Sequence, residues 1–235
     1  GLRPFADRKE NTTAEQWSTG PALRLLSIGR LAYYKGFETL VASAFAEPGV
    51  QLLIAGNGEM REELQAQIER HRAAGAPGNV RLLGHISDAE KKTLLETCDV
   101  FCLASKERTE AFGMVLLEAM AHGKPCLVSK LPGSGMTWLI DQSAAGITCA
   151  LGDIAAWRKG LLWMANHPAE RVAMGQAGHH AFLQRFTVEH SARALQREYR
   201  LARGLGPQAR RKKDLLIVIP ARNESGTIGL LLNEL

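Results

Sequence analysis

From Leu23 onward the chain alternates short, nearly unbroken apolar runs with longer amphipathic stretches, and this alternation constrains the fold more than any other feature. The apolar runs are Leu23–Ile28, Val50–Ala55, Val80–Leu83, Val100–Leu103, Pro125–Ser129 and Gly146–Cys149. Brief apolar runs without polar alternation are what strands buried on both faces of a parallel sheet present. The segments between them, such as Glu59–Ala74 and Asp88–Thr97, are long enough for crossover helices. In Ser87-Asp88-Ala89-Glu90 a hydroxyl is followed three residues later by a glutamate, the pattern of a capping box opening a helix. The expected fold is α/β: a doubly wound, parallel, Rossmann-like sheet followed by C-terminal helices.

Sheets of this kind gather ligands at the carboxyl ends of their strands. Arg30 and Lys35 follow the first expected strand, Gly56-Asn57-Gly58-Glu59 the second and Gly84-His85 the third. Ser105 through Gly113 follows the fourth, and Gly133-Ser134-Gly135 the fifth. Five loops therefore deliver glycines or charges to one edge, where a site is expected.

Residues 1–21 are polar and mixed and read as a flexible lead-in to a principal domain over 22–203. Late in that domain Val188, Ala192, Leu195 and Tyr199 recur at helical spacing and mark one apolar face. Residues 204–214 form a basic linker containing Arg210-Arg211-Lys212-Lys213. Leu215-Leu216-Ile217-Val218-Ile219-Pro220 then begins a new strand, so 215–235 reads as the truncated start of a second domain. Without an initial methionine or a signal-like segment, the chain reads as a piece of something longer.

Hydrophobic content of 46% with 23% charged residues is that of a soluble globular protein. No stretch approaches the roughly 20 apolar residues that cross a bilayer. Cys98, Cys102, Cys126 and Cys149 lack paired metal spacing and are read as buried, reduced thiols of a cytoplasmic protein. A net charge of +5 suits an anionic ligand or a peripheral contact at the inner face of a membrane, and the basic run reads equally as a solvated linker. Nucleic acid is not an expected partner, because the basic residues lack interleaved aromatics and a recognised module.

The chemistry-bearing residues converge on one kind of ligand. Arg30 and Lys35 flank a turn closed by Gly29 and Gly36; a guanidinium fork and a point ammonium are what a diphosphate would take from two sides. Their alternative is an exposed arginine and lysine on a loop. Phe112-Gly113 should open a helix whose free amides form an anion site, with Gly113 allowing close approach to the backbone. Glu118 falls in the otherwise apolar run Met114 through Met120, where a charge is costly without a partner. Ribose hydroxyls suit it, and so does a salt bridge to a lysine or arginine. Glu110, on the loop, is placed to touch a transferred group or to be a surface glutamate. Gly56 and Gly58 do not fit the spaced glycine fingerprint of dinucleotide folds. His85 could border a base; His179, His180 and His190 have no acidic or cysteine partners at ligand spacing.

Taken together, Gly29-Arg30-Leu31 with Lys35-Gly36, Ala55-Gly56-Asn57-Gly58, and Glu110 and Glu118 with Ala119-Met120-Ala121 resemble the donor-binding half of family-4 retaining glycosyltransferases of the GT-B fold. The resemblance covers roughly residues 22–203, and Leu131-Pro132-Gly133-Ser134-Gly135 through Trp138 is similar to bacterial members that build surface polysaccharides. It implies that Arg30 and Lys35 hold the donor diphosphate, that Glu118 holds the ribose and that Glu110 faces the donor sugar. Backbone amides around Phe112, Gly113, Met114 and Val115 would complete the pocket. It further implies transfer with retained anomeric configuration, a UDP- or GDP-hexose as donor substrate, no metal and no other cofactor. Ile219-Pro220-Ala221-Arg222-Asn223-Glu224 resembles the nucleotide-binding opening of a family-2 glycosyltransferase, which implies a bifunctional parent.

The expected function is therefore that of a nucleotide-sugar-binding domain over 22–203, from a hexosyltransferase of bacterial surface polysaccharide or lipopolysaccharide synthesis. Its acceptor-binding domain would lie upstream of Gly1, so the fragment alone is expected to be inactive. The alternative is a non-catalytic module that keeps the fold to bind a nucleotide or dock a larger protein.

Overall fold

The computed structural model of the protein describes residue 17 and residues 23–110 and 112–202. Apart from Trp17, the expected lead-in, and all of the expected linker and second domain, lie outside the described residues. The chain divides into two compact units, Gly1–Phe182 and Leu183–Leu235.

The first unit is built on six parallel strands: β1 (Leu23–Ile28), β2 (Val50–Ala55), β3 (Asn79–Gly84), β4 (Val100–Leu103), β5 (Cys126–Lys130) and β6 (Gly146–Ala150), in the order β3-β2-β1-β4-β5-β6. The chain therefore moves outward from β1 to β3 and then returns to the other side of β1 with β4. This reversal is the doubly wound topology expected from the sequence. The strand bounds differ from the expected ones by a residue or so; β5 begins at Cys126 because Pro125 has no N–H to donate, although its carbonyl still accepts from Phe101 at 2.9 Å.

Helices α1 (Phe37–Phe45), α2 (Arg61–Ala73), α3 (Asp88–Thr97), α4 (Met114–Ala121), α5 (Gly135–Ser143) and α6 (Ile154–Asn166) follow the successive strands, with α7 (Pro168–Arg185) and α8 (Val188–Ala202) after them. Helix α1 buries Phe37, Leu40, Val41, Ala44 and Phe45, a stripe at helical spacing, and α6 does the same with Trp157, Gly160, Leu161 and Met164. These stripes close over Leu25, Leu52, Ile54, Val80, Cys102 and Leu127 to form one core layer. Fully burying a leucine or phenylalanine contributes about 1.5–3 kcal/mol, so these stripes, rather than helix propensity, fix α1 and α6. On helix α3 the expected capping box is present: the Glu90 amide donates to Ser87 Oγ at 3.2 Å, and the Ser87 amide donates to the Glu90 carboxylate at 2.6 Å.

The amino ends of the two central strands are clasped. Arg24, on β1, donates from its backbone N–H and its guanidinium to Asp99, just before β4, at 2.9–3.2 Å. The hydrogen bond to Asp99 raises the Arg24 pKa. Trp17 stacks near the same guanidinium and donates its indole N–H to Thr97 at 2.9 Å, so this residue of the lead-in is packed down. The clasp holds β1 against β4 at one end and leaves the carboxyl end to the loops.

In the second unit, α8 carries Val188, Ala192, Leu195 and Tyr199 at the expected spacing, with Val188 and Tyr199 exposed.

Candidate functional site

The loops after β1 and β2 are locked together by backbone. The Gly29 amide donates to Ala55, Leu31 to Asn57, and Met60 to Leu31, all at 2.9–3.0 Å. A Cβ at Gly56 would collide with the Gly29 carbonyl, and one at Gly58 with the Leu31 carbonyl. Both glycines are therefore required by this close loop-to-loop approach, a structural role of the kind a strand-to-helix turn gives glycine. Arg30, between the two zippered positions, is exposed and pairs with Glu59 at 3.3 Å.

The β1 loop then folds under the end of β4. Its short 3₁₀ turn, Tyr33–Lys35, ends at Gly36, whose φ of 66° is left-handed and whose Cβ, if present, would strike the Ala104 carbonyl. The Lys106 amide donates to the Tyr34 carbonyl at 2.7 Å, and the Lys106 ammonium pairs with Glu38 at 2.5 Å beneath the Tyr33 ring. This geometry delivers Lys35 to Glu110, and the two form an ion pair with side chains only 10% and 13% exposed. Buried Ser105 approaches the same Glu110 carboxylate at 3.4 Å, and Ser134 Oγ the Glu110 carbonyl at 3.5 Å. Arg108 reaches from the β4 loop to donate to the Pro132 carbonyl at 3.1 Å. Residues from the β1, β4 and β5 loops thus meet where the winding direction of the sheet reverses, the position at which such sheets bind ligands.

Helix α4 opens where the sequence placed it. Gly113 caps it at φ 73°, and a Cβ there would press on Leu103, Leu116 and Met136 within 3.1–3.2 Å. The first amides of the helix, at Met114 and Val115, lack intrahelical acceptors by helix geometry and face outward from its start. Met114 is exposed, Val115 half-buried, and the half-buried Phe112 ring lies 6.4 Å from Trp138. Glu118 is the fifth residue of α4, half-buried, and pairs with Lys91 of α3 at 3.2 Å, which is the salt-bridge alternative foreseen for it. Lys91 also reaches Asp88 at 3.6 Å.

Among the expected site residues, then, Lys35 and Glu110 are in contact, Arg30 on the β1 loop and Glu118 on α4 have carboxylate and ammonium partners of their own, and Phe112 to Val115 form the mouth of α4. His85 is exposed beyond β3, two strands from β1, roughly 10 Å across the sheet. Ser105, Lys91 and Lys106 were not singled out from sequence. A serine at a strand end and two lysines on solvated stretches carry no local signal of the carboxylates they meet. Among the described residues no group of three or more His, Cys, Asp or Glu side chains is clustered as a metal site.

A model of the glycosyl transferases group 1 family matches residues 8–181, which includes every element from β1 to α6 and every site residue above. The chain belongs to that family. As a group 1 glycosyltransferase it is 32% identical over 176 residues to the D-rhamnosyltransferase WbpZ of Pseudomonas aeruginosa, an alignment covering 74% of this chain and 44% of that protein. It is also 32% identical over 204 residues to the glycogen synthase of Mycobacterium tuberculosis, covering 85% and 46%. The chain thus spans less than half the length of these relatives. Its fold matches the crystal structure of Anabaena HepE in complex with UDP and glucose, with a TM-score of 0.64 and 23% identity over 76% of this chain and 49% of that one. The parallel six-stranded sheet with flanking helices is the Rossmann-like half of the GT-B type.

Proposed function

We propose that this chain is the donor-binding half of a retaining glycosyltransferase that takes a nucleoside-diphosphate hexose, such as a UDP- or GDP-hexose. The observation that carries this reading is the meeting of Lys35 and Glu110 at the β1/β4 reversal, beside the start of α4. A cation, a helix N-terminus and a carboxylate within one cluster suit the three parts of a sugar diphosphate: two phosphates and a hydroxyl-rich ring. Arg30 and Lys35 hold the diphosphate, the amides from Phe112 to Val115 approach the distal phosphate and sugar, Glu118 accepts from the ribose, and Glu110 accepts from the sugar. The family membership and the UDP in HepE support the class of ligand.

In transfer, the C1–O bond of the sugar to the distal phosphate breaks and negative charge grows on that phosphate. Prepositioned cations are stronger partners for the leaving group than for the intact donor, and removing one such group costs about 10²–10³ in rate. Retention follows if the acceptor hydroxyl attacks from the face the phosphate leaves, giving its proton to that phosphate. The transfer step belongs to the whole protein, with a separate acceptor-binding domain. Leu131–Trp138, with its likeness to surface-polysaccharide enzymes, supports synthesis of bacterial polysaccharide or lipopolysaccharide at the cytoplasmic membrane face.

A thermal-shift panel of UDP, GDP, ADP and their hexose derivatives tests the reading. Ligand at a hundredfold excess over Kd adds about 2.7 kcal/mol, which raises Tm by roughly 5–10 °C for a chain of this size. One nucleotide series giving such a rise, reduced in Lys35→Met, is the expected result. No rise with any of them would refute it.

A further inference from the structure

Two residues assigned to different parts of the donor hold each other in the structure, and that pairing has a consequence for which nucleotide the site prefers. We infer that Glu110 selects an intact sugar nucleotide over the bare nucleoside diphosphate, because its position at Lys35 sets its carboxylate against the distal phosphate. The inference rests on the donor-site reading above and adds a discriminating role within it.

Four cations at this edge are already matched with carboxylates: Lys35 with Glu110, Arg30 with Glu59, Lys106 with Glu38 and Lys91 with Glu118. Of these pairs, Lys35–Glu110 is the most enclosed, so it is the least screened by water and salt. A diphosphate that reaches Lys35 must displace Glu110 from it. Ser105 at the carboxylate and Ser134 at the backbone carbonyl keep Glu110 close by after the exchange. The displaced carboxylate then faces the distal phosphate.

What that phosphate carries decides the outcome. In a bare nucleoside diphosphate its terminal oxygens hold an additional negative charge, which an enclosed carboxylate repels. In a sugar nucleotide one of those oxygens is esterified, the charge is lower, and the attached ring brings hydroxyls that donate to the carboxylate. Having given up Lys35 to either ligand, Glu110 finds replacement donors in the sugar and none in the diphosphate product. The same contact that favours donor entry speeds product departure.

Titration calorimetry on the parent chain, Glu110→Gln, Glu110→Ser and Lys35→Met, with UDP, GDP, UDP-glucose and GDP-mannose, tests this. Losing the carboxylate's charge should tighten the bare diphosphate about tenfold while leaving the sugar nucleotide no tighter, so the parent's preference for the latter collapses. Both uncharged variants should agree in direction, and melting curves establish that each is folded. The gain from Glu110→Gln should shrink when Lys35→Met is also present. A bare diphosphate that binds Glu110→Gln or Glu110→Ser equally or more weakly than the parent overturns the inference while leaving the donor site intact. Absence of binding by every nucleotide to the parent overturns the donor-site reading with it.

Discussion

Glu118 pairs with Lys91 in the structure and, on the proposed reading, also accepts from the ribose. The ammonium of Lys91 holds it at 3.2 Å from one side, and ribose hydroxyls would approach it from the other. A carboxylate with two oxygens can satisfy both, whereas a half-exposed pair contributes only about 0–1 kcal/mol to stability by itself. Glu118→Ala should therefore leave Tm within a few degrees of the parent yet weaken nucleoside diphosphate binding about tenfold or more, read by calorimetry. Equal binding by the variant would mean that Glu118 serves only as a partner for Lys91. Lys91 itself could not be identified from sequence: it stands among Lys91-Lys92 on an amphipathic helix, and nothing local distinguishes the lysine that meets Glu118 from its neighbour.

At the scale of elements, the β1 and β2 loops behave as one unit. Gly56 and Gly58 allow Gly29 and Leu31 to bond across at backbone distance, and that zipper aims Arg30 and leads into the turn that delivers Lys35. Gly58→Ala should force the loops apart, lowering stability by about 1–3 kcal/mol and weakening diphosphate binding together. Urea unfolding and calorimetry on the one variant check both; a loss of stability with unchanged binding would uncouple the zipper from the site. The elements themselves were largely legible. β1, β2 and β4 are apolar runs with little ambiguity, the Ser87–Glu90 box marks the start of α3, and Phe112-Gly113 marks that of α4. What the sequence withheld is pairing across distance. Lys35 and Glu110 are 75 residues apart and become neighbours only because the chain returns past β1 to lay down β4. Topology creates that contact, and topology leaves no local mark.

Across the whole molecule, the four cysteines report on the sheet's burial. Desolvation pushes the Cys98 and Cys149 thiols up to about 12, and raises Cys102 and Cys126 as well. Their native pKa values lie above the unfolded value of about 8.5, so the unfolded chain releases these protons first as pH rises. The stability they contribute is complete below about pH 8.5 and is lost progressively toward pH 12. The urea midpoint should be level from pH 6 to 8 and fall between pH 9 and 11, and Cys98→Ala with Cys149→Ala should flatten part of that fall. The same burial predicts slow labelling of all four thiols by alkylating reagents at neutral pH, with rapid labelling once the chain is unfolded.

On the proposed reading, loops distant in the chain build one sugar-nucleotide site at the carboxyl edge of the sheet. Amide chemical shifts followed by NMR during titration with UDP and with GDP test it most directly. Shifts concentrated in residues 29–36, 104–110 and 112–118 are the predicted result. Shifts gathered instead at the opposite edge, around Arg24, Thr97 and Asp99, would contradict it.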